Sequence, residues 1–274
     1  MSNSFRIASL HVYPIKAFGG FTPAEWPVDQ LGLKYNRQWM LVDDTHRFIT
    51  LRQFPHLIRY HAVVKGGQIE VTGPEGHSFA FDIEAGAQRI TADIWDKKVD
   101  VAVVGDEADS WFSQLIGQPC RLVKYDDASH RVVNPVYAPE GATTSFTDGY
   151  PVLVIGSASL TDLNNRLEDK IEMERFRPSM VVSTEIPFDE DHWQAFSSGT
   201  VTFKGVKLCS RCVVTCVDPA TGRKSDEPLR TLSTYRRFNN HVCFGQNALL
   251  SAPEGAMLRT GDHLDVLQRG PYMT

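Results

Sequence analysis

No apolar run in the 274 residues approaches the roughly 18 that a membrane-spanning helix needs; the runs present are as short as Val152-Leu153-Val154-Ile155. Residues Met1 to Leu10 hold no continuous apolar core of signal-peptide length and no evident cleavage site, so a non-exported, cytoplasmic protein is expected. Basic charge is not in excess. Lys plus Arg is 28 against 33 for Asp plus Glu, a net charge of −5, which argues against bulk coating of nucleic acid. There is no internal repeat and no low-complexity tract. Cysteine is scarce and odd in number, at five, which in a chain without an export signal reads as reduced thiols.

What is present is ordinary globular composition, 42% apolar and 22% charged, enough to bury a core without disulfides. The first hundred residues read as short strands: Phe5 to Ile15, Trp39 to Val42, Leu57 to Val64, Gln68 to Thr72 after a Gly66-Gly67 turn, His77 to Ile83, and Val99 to Val104. No helix is expected before Asp106. There Ala108, Trp111, Phe112, Leu115 and Ile116 take up helical spacing, with acids in the first turn and Gly117 at the end. A second helix is predicted from Ser157 to about Asp169, capped by Ser157 or Ser159. Between them, His130 to Tyr150 reads as a long, flexible loop. Strands return at Met180 to Ser183, Gly199 to Cys209, Cys212 to Val217 and His263 to Leu267. The reading is a mostly β, α+β chain with two modules, residues 1–105 and 106–274.

Two features carry chemistry. From Lys204 to Arg237 there are eight basic and three acidic residues, a local charge of +5 that suits a small anionic ligand. Within that stretch lie Cys209, Cys212 and Cys216. By spacing alone they fit buried strand residues, part of a zinc or iron–sulfur site with Cys120 or Cys243, or a reactive thiolate at Cys212 beside Arg211.

Cys209-Ser210-Arg211-Cys212 followed by Val217-Asp218-Pro219-Ala220-Thr221-Gly222 resembles the MOSC family, named for the C-terminal domain of molybdenum-cofactor sulfurase. Val12-Tyr13-Pro14-Ile15-Lys16 is similar to the YPVKS opening of that family's N-terminal β-barrel domain. Tyr35 to Val42 is similar to its RxW-L-V strand, and Thr50-Leu51-Arg52-Gln53 to its T-x-RQ segment. Ser157 to Leu167, Phe176-Arg177-Pro178 and Phe244-Gly245-Gln246-Asn247 follow in order, so the resemblance spans about residues 5 to 268. Within the family, the chain resembles the amidoxime-reducing components and their bacterial counterparts.

The resemblance implies an N-terminal β-barrel domain, a barrel-like MOSC domain, and a molybdenum–molybdopterin cofactor with Cys212 as protein ligand. Lys16, Arg37, Arg177, Ser210 and Arg211 match positions that hold the cofactor, with Gly149, Ser179 and Asn247 at matched but altered positions. By its place in the flexible loop Asp148 is a candidate proton donor or substrate-orienting group, the alternative being a simple turn residue, with His130 and His241 as weaker loop candidates. The family's Ser after the lysine is Ala17, its RPN triplet is Arg177-Pro178-Ser179, and its DTSP loop is Asp148-Gly149-Tyr150-Pro151. The implied activity is reduction of small N-hydroxylated compounds. Some bacterial relatives end in a ferredoxin domain. A chain ending at Thr274 leaves the expectation of a separate electron-donor protein of ferredoxin, flavodoxin or cytochrome b5 type. The other class implied is a cofactor carrier or sulfur-transfer protein using a Cys212 persulfide.

Overall fold

The computed structural model describes residues 3–84 and 86–272. Strands dominate. In chain order they are β1 (Ser4–Leu10), β2 (Glu25–Asp29), β3 (Gly32–Leu33), β4 (Trp39–Asp43), β5 (His61–Lys65), β6 (Gln68–Thr72), β7 (Ser78–Asp82), β8 (Arg89–Ile94) and β9 (Lys97–Val103). Helix α1 (Asp106–Ile116) and β10 (Cys120–Lys124) follow. After a long connection come β11 (Val152–Gly156), α2 (Ser157–Asn164), β12 (Met180–Ser183), β13 (Trp193–Ser198) and β14 (Val201–Ser210). The chain then forms the single turn α3 (Leu229–Leu232), β15 (Arg237–Phe238), β16 (His241–Ser251), β17 (Met257–Arg259) and β18 (His263–Arg269).

Seven strands close a barrel in the order β11-β12-β1-β18-β13-β14-β16, with β16 pairing back to β11 and β15 extending from β16. Closure removes the sheet edges. Its interior is filled by Ile7, Leu10, Val154, Val182, Trp193, Phe196, Phe203 and Leu264. Beside it, β4, β10, β9 and β8 form one sheet, β5 to β7 another, and β17, β2 and β3 a third. The mostly β architecture expected from the sequence is the one found.

Local chemistry explains the elements. Gly66 and Gly67 both have positive φ (58° and 84°) and make the tight link of the β5–β6 hairpin. Helix α1 starts with Asp106, Glu107 and Asp109, which suit its N-terminal dipole. It ends at Gly117, whose left-handed backbone (φ 74°) lets its N–H reach Ser113 O. The buried face of α1 sets Phe112 edge-on against Phe18, Phe79 and Phe81, the centre of the N-terminal core.

Six local expectations are corrected. The second helix stops at Asn164, because Asn164 exchanges two hydrogen bonds with the Ile171 backbone and turns the chain away. Its N-cap is Gly156, with no side-chain cap from Ser157 or Ser159. The first strand ends at Leu10, and the segment from Leu57 opens in a single 3₁₀ turn, Pro55–Arg59, before β5. Cys212 to Val217 is not a strand: Cys212 O accepts both Thr215 N–H and Thr215 Oγ1–H, winding Val213–Cys216 into a 3₁₀ turn. Residues 143–151 are anchored, with Thr144, Ser145, Phe146 and Thr147 all buried. Strand β8, whose Ala92 and Ile94 alternate inward, went unread in the sequence.

Among the described residues no helix is long and apolar enough to cross a membrane. Phe112→Ala is expected to lower stability by about 3–5 kcal/mol through the cavity it leaves. Leu267→Ala, at a 64% exposed position, should change it by less than about 0.5 kcal/mol. Urea unfolding of the two variants checks the contrast.

Candidate functional site

The site lies where the barrel meets the N-terminal sheets, and it begins with a strand-like alternation. Ile15 pairs with Trp39, with Trp39 N–H donating to Pro14 O and Lys16 N–H donating to Trp39 O. Ile15 therefore enters the core and Lys16, on the opposite side, faces a cleft. Lys16 Nζ donates to Phe146 O (2.9 Å) and to Asp148 Oδ1 (2.6 Å). Arg37 is held in a left-handed conformation (φ 53°) by its N–H on Tyr13 O and its carbonyl on Phe146 N–H. This turn brings its guanidinium 3.9 Å from Asp148 and its Nη2 to Arg177 O at 3.3 Å.

Asp148 is stationed from behind. Arg131, itself buried, donates through Nη1 to Ser145 O (2.7 Å) and Thr147 O (2.8 Å), and Ser145 Oγ donates to Asn36 O. From the barrel side, Arg177 follows the 3₁₀ turn Met173–Phe176, also left-handed (φ 53°). Its guanidinium lies 4.3 Å from the centre of the Tyr13 ring. Arg211, at the end of β14, donates to Phe176 O (2.6 Å) and to Cys209 Sγ (2.9 Å).

The cleft has two lobes that share Arg37, Asp148, Arg177, Cys212 and Val214. The inner lobe adds Gly149, Ser179, Ser210, Arg211 and Asn247. The outer lobe adds Lys16, Phe48, Thr50, Arg52 and Trp95. Cys212 is exposed at their junction.

The electrostatics are lopsided. Lys16, Arg37, Arg177 and Arg211 act on Asp148, the one acid among the cleft-lining residues, and with Arg52 of the outer lobe the lining carries a net charge of +4. Burial works to raise the pKa of Asp148, but the charges of Lys16 and Arg37 outweigh it and hold the carboxyl well below the usual range. Water reaches this carboxylate through the cleft mouth, its side chain being 64% exposed, so the ion pair is worth less than a dry one. Burial lowers Lys16 to about 8 despite the opposing pull of Asp148. Burial, then the charge of Arg37, lowers Arg177 to about 10. Tyr13, wedged beside Arg177 and Arg37, is pushed up to about 12 by burial.

Several polar atoms here have no protein partner: Arg37 Nε, Arg177 Nη2, Arg211 Nε and the Tyr13 hydroxyl are buried without a hydrogen bond. Each costs desolvation free energy unless something meets it. A Cβ built on Gly149 would meet nothing within 4 Å, so the backbone there borders open space. An anion bearing a polar ring system, as a molybdopterin is, fits both the charge surplus and the orphaned donors.

All ten residues singled out from the sequence for catalysis and cofactor binding line this cleft. Ser179 lines it with its hydroxyl oxygen engaged by Leu153 N–H (3.2 Å). His130 and His241 are exposed and line neither lobe. The guanidinium of Arg211 turns to Cys209 rather than to Cys212. The +5 segment does not act as one field, since Arg230 is paired with Glu227 and Arg236 with Asp191. Cys120, Cys216 and Cys243 are buried, and burial raises all three thiols, Cys120 to about 11. Among the described residues no three His, Cys, Asp or Glu side chains gather as metal ligands, which removes support from a zinc site. Sequence reasoning missed Tyr13, Phe48, Trp95 and Arg131. Tyr13 stood inside a quoted motif, whereas Trp95 and Arg131 carried no local signal.

Because Lys16 gives up its proton at about 8, the site's affinity for inorganic phosphate is expected to fall as the pH rises through that value. A bound anion favours the ammonium form, so the neutral amine binds it worse. Calorimetric titration across this range should show the loss, and Lys16→Met should bind more weakly throughout and lack the transition.

The profile described as MOSC N-terminal beta barrel domain matches residues 4–119, and that described as MOSC domain matches residues 141–265. "Mitochondrial amidoxime reducing component 2" of Rattus norvegicus is 34% identical over 245 residues, covering 84% of this chain and 72% of that protein. "Mitochondrial amidoxime-reducing component 1" of Danio rerio is 31% identical, with 84% and 74% covered. "Molybdenum cofactor sulfurase" of Solanum lycopersicum is 29% identical over 264 residues; the match takes in 87% of this chain but only 32% of the sulfurase. With both domains matched in order along nearly the whole chain, this protein belongs to the MOSC family, in the form that carries the N-terminal β-barrel domain.

Proposed function

We propose that the chain is a molybdenum-cofactor enzyme that reduces small N-hydroxylated compounds, such as hydroxylamines, amidoximes or N-hydroxylated bases, with electrons from a separate donor protein. The observation that carries this reading is the surplus of cations, four against one carboxylate, beside an exposed thiol. Buried cations without counter-ions are costly, and a cleft that keeps them is built for an anion. The similarity to amidoxime-reducing components supports the choice of substrate class.

Lys16, Arg37, Arg177 and Arg211 would hold the cofactor's phosphate and polar rings, and the Cys212 thiolate would be the protein's ligand to the metal. When bound, the cofactor supplies the two-electron reduction that cleaves the N–O bond. The reaction also consumes two protons, releasing water and the amine from a hydroxylamine or the amidine from an amidoxime. Lys16 Nζ holds one proton that it can release near neutral pH. Asp148 stays ionised and accepts the Lys16 hydrogen bond, which suits orientation of the substrate better than donation of its own proton.

Protein made in cells that synthesise the cofactor is expected to carry stoichiometric molybdenum and to reduce an aromatic amidoxime when given chemical or protein electron donors. Cys212→Ser should lose turnover. Full molybdenum and activity in that variant would sink the assignment. A persulfide on Cys212 with no reductive turnover would point instead to sulfur transfer.

A further inference from the structure

The segment Thr50-Leu51-Arg52-Gln53 takes no part in the chemistry above, yet the fold spends several bonds on it. Gln53 Oε1 accepts from the Thr50 N–H (3.1 Å) and the Thr50 hydroxyl (2.9 Å), while Thr50 O accepts the N–H of both Gln53 and Phe54. Leu51 is thereby driven into the core and Arg52 is directed to the cleft. From the opposite side Lys224 Nζ donates to Arg52 O (2.8 Å), pinning the same residue from the barrel half of the chain. The backbone of Arg52 is thus fixed twice, but its guanidinium has no hydrogen bond or ion pair among the described residues. Its one contact of note is the face of Trp95, 4.9 Å from the ring centre.

Trp95 is unusual in its own right. It is the first of two residues linking β8 to β9, at φ 56°, a conformation in which a bulky side chain is rare. It is 44% exposed. Phe48 braces it at 4.9 Å and is itself held by Phe48 N–H on Asp93 O. A strained hairpin, an exposed indole and an unpaired arginine therefore meet in the outer lobe, which opens onto Cys212.

We propose that the outer lobe is a substrate subsite in which Arg52, backed by Trp95, binds an anionic substituent of the N-hydroxylated substrate. The substituent is a carboxylate or phosphate, carried on a flat ring that lies along Phe48 and Trp95. A guanidinium stacked on an indole keeps its charge and its edge donors free for an oxyanion. This proposal rests on the reductase reading for the identity of the ligand, but not for the existence of the anion subsite.

Two measurements test it. The first compares kcat and KM for an aromatic amidoxime with and without a ring carboxylate. The wild-type enzyme should prefer the carboxylated compound by about tenfold or more in kcat/KM. Arg52→Gln should raise KM for the carboxylated compound and bring the two level, with molybdenum content retained. Equal use of both by wild type, or a preference that survives in Arg52→Gln, overturns the proposal. Loss of molybdenum in Arg52→Gln overturns it too, because the arginine would then be serving the cofactor's phosphate. The second measurement titrates benzoate into the metal-free chain and follows tryptophan fluorescence. The signal should vanish in Trp95→Phe, and binding should vanish in Arg52→Gln. Benzoate binding through Arg52 in a protein that reduces neither amidoxime would defeat the reductase reading and leave the subsite standing. Absence of binding in an active enzyme would do the reverse.

Discussion

Like charges that share one carboxylate repel one another, and a folded chain keeps them together only where the surrounding structure allows nothing else. Lys16, Arg37, Arg177 and Arg211 come from four separated stretches of sequence and meet around Asp148. None is there by default. Two of the three arginines sit in left-handed backbone, a conformation that costs about 1–2 kcal/mol in a residue other than glycine. Each is fixed there by main-chain bonds: Arg37 by Tyr13 and Phe146, Arg177 by Glu174. Strain and repulsion at one place are what a preorganised binding site stores, and the closed barrel and the N-terminal sheets supply the rigidity that maintains them.

The same constraint sorts the cysteines. A thiol buried among apolar groups is held protonated, and this is the condition of Cys120, Cys216 and Cys243. Cys209 receives the guanidinium of Arg211, which ties the end of β14 to the turn before Arg177 through Phe176 O. Cys212 alone of the five is exposed, standing at the start of a turn rather than within a strand. The division is between thiols that pack and one that is presented.

Much of this could be read from the residues. The helical spacing of α1, the Gly66-Gly67 hairpin and the β-rich character are local properties, and local patterns survive into the fold. The cleft residues were legible as a set because their motifs fell in a known order, not because any one of them was diagnostic. The errors share a cause as well. Cys212 to Val217 looked like a strand by its β-branched residues, but the hydroxyl of Thr215 bonded back to Cys212 and wound it into a turn. The connection from His130 to Tyr150 looked mobile by composition, but a buried Arg131 clamps two of its carbonyls. Trp95 at a hairpin tip gave no warning, since a bulky residue at positive φ violates the rule by which turns are recognised. A neighbouring hydroxyl decided the first outcome, a buried side chain at the far end of the loop the second, and a strained backbone the third.

The cleft draws its walls from both sides of helix α1, with Lys16 and Arg37 before it and Arg177, Arg211 and Cys212 after. Any anion that satisfies these groups together acts as a clasp between the two halves of the molecule. Filling the site and holding the halves in register are then one equilibrium viewed from two ends, so that the empty protein must be the looser one.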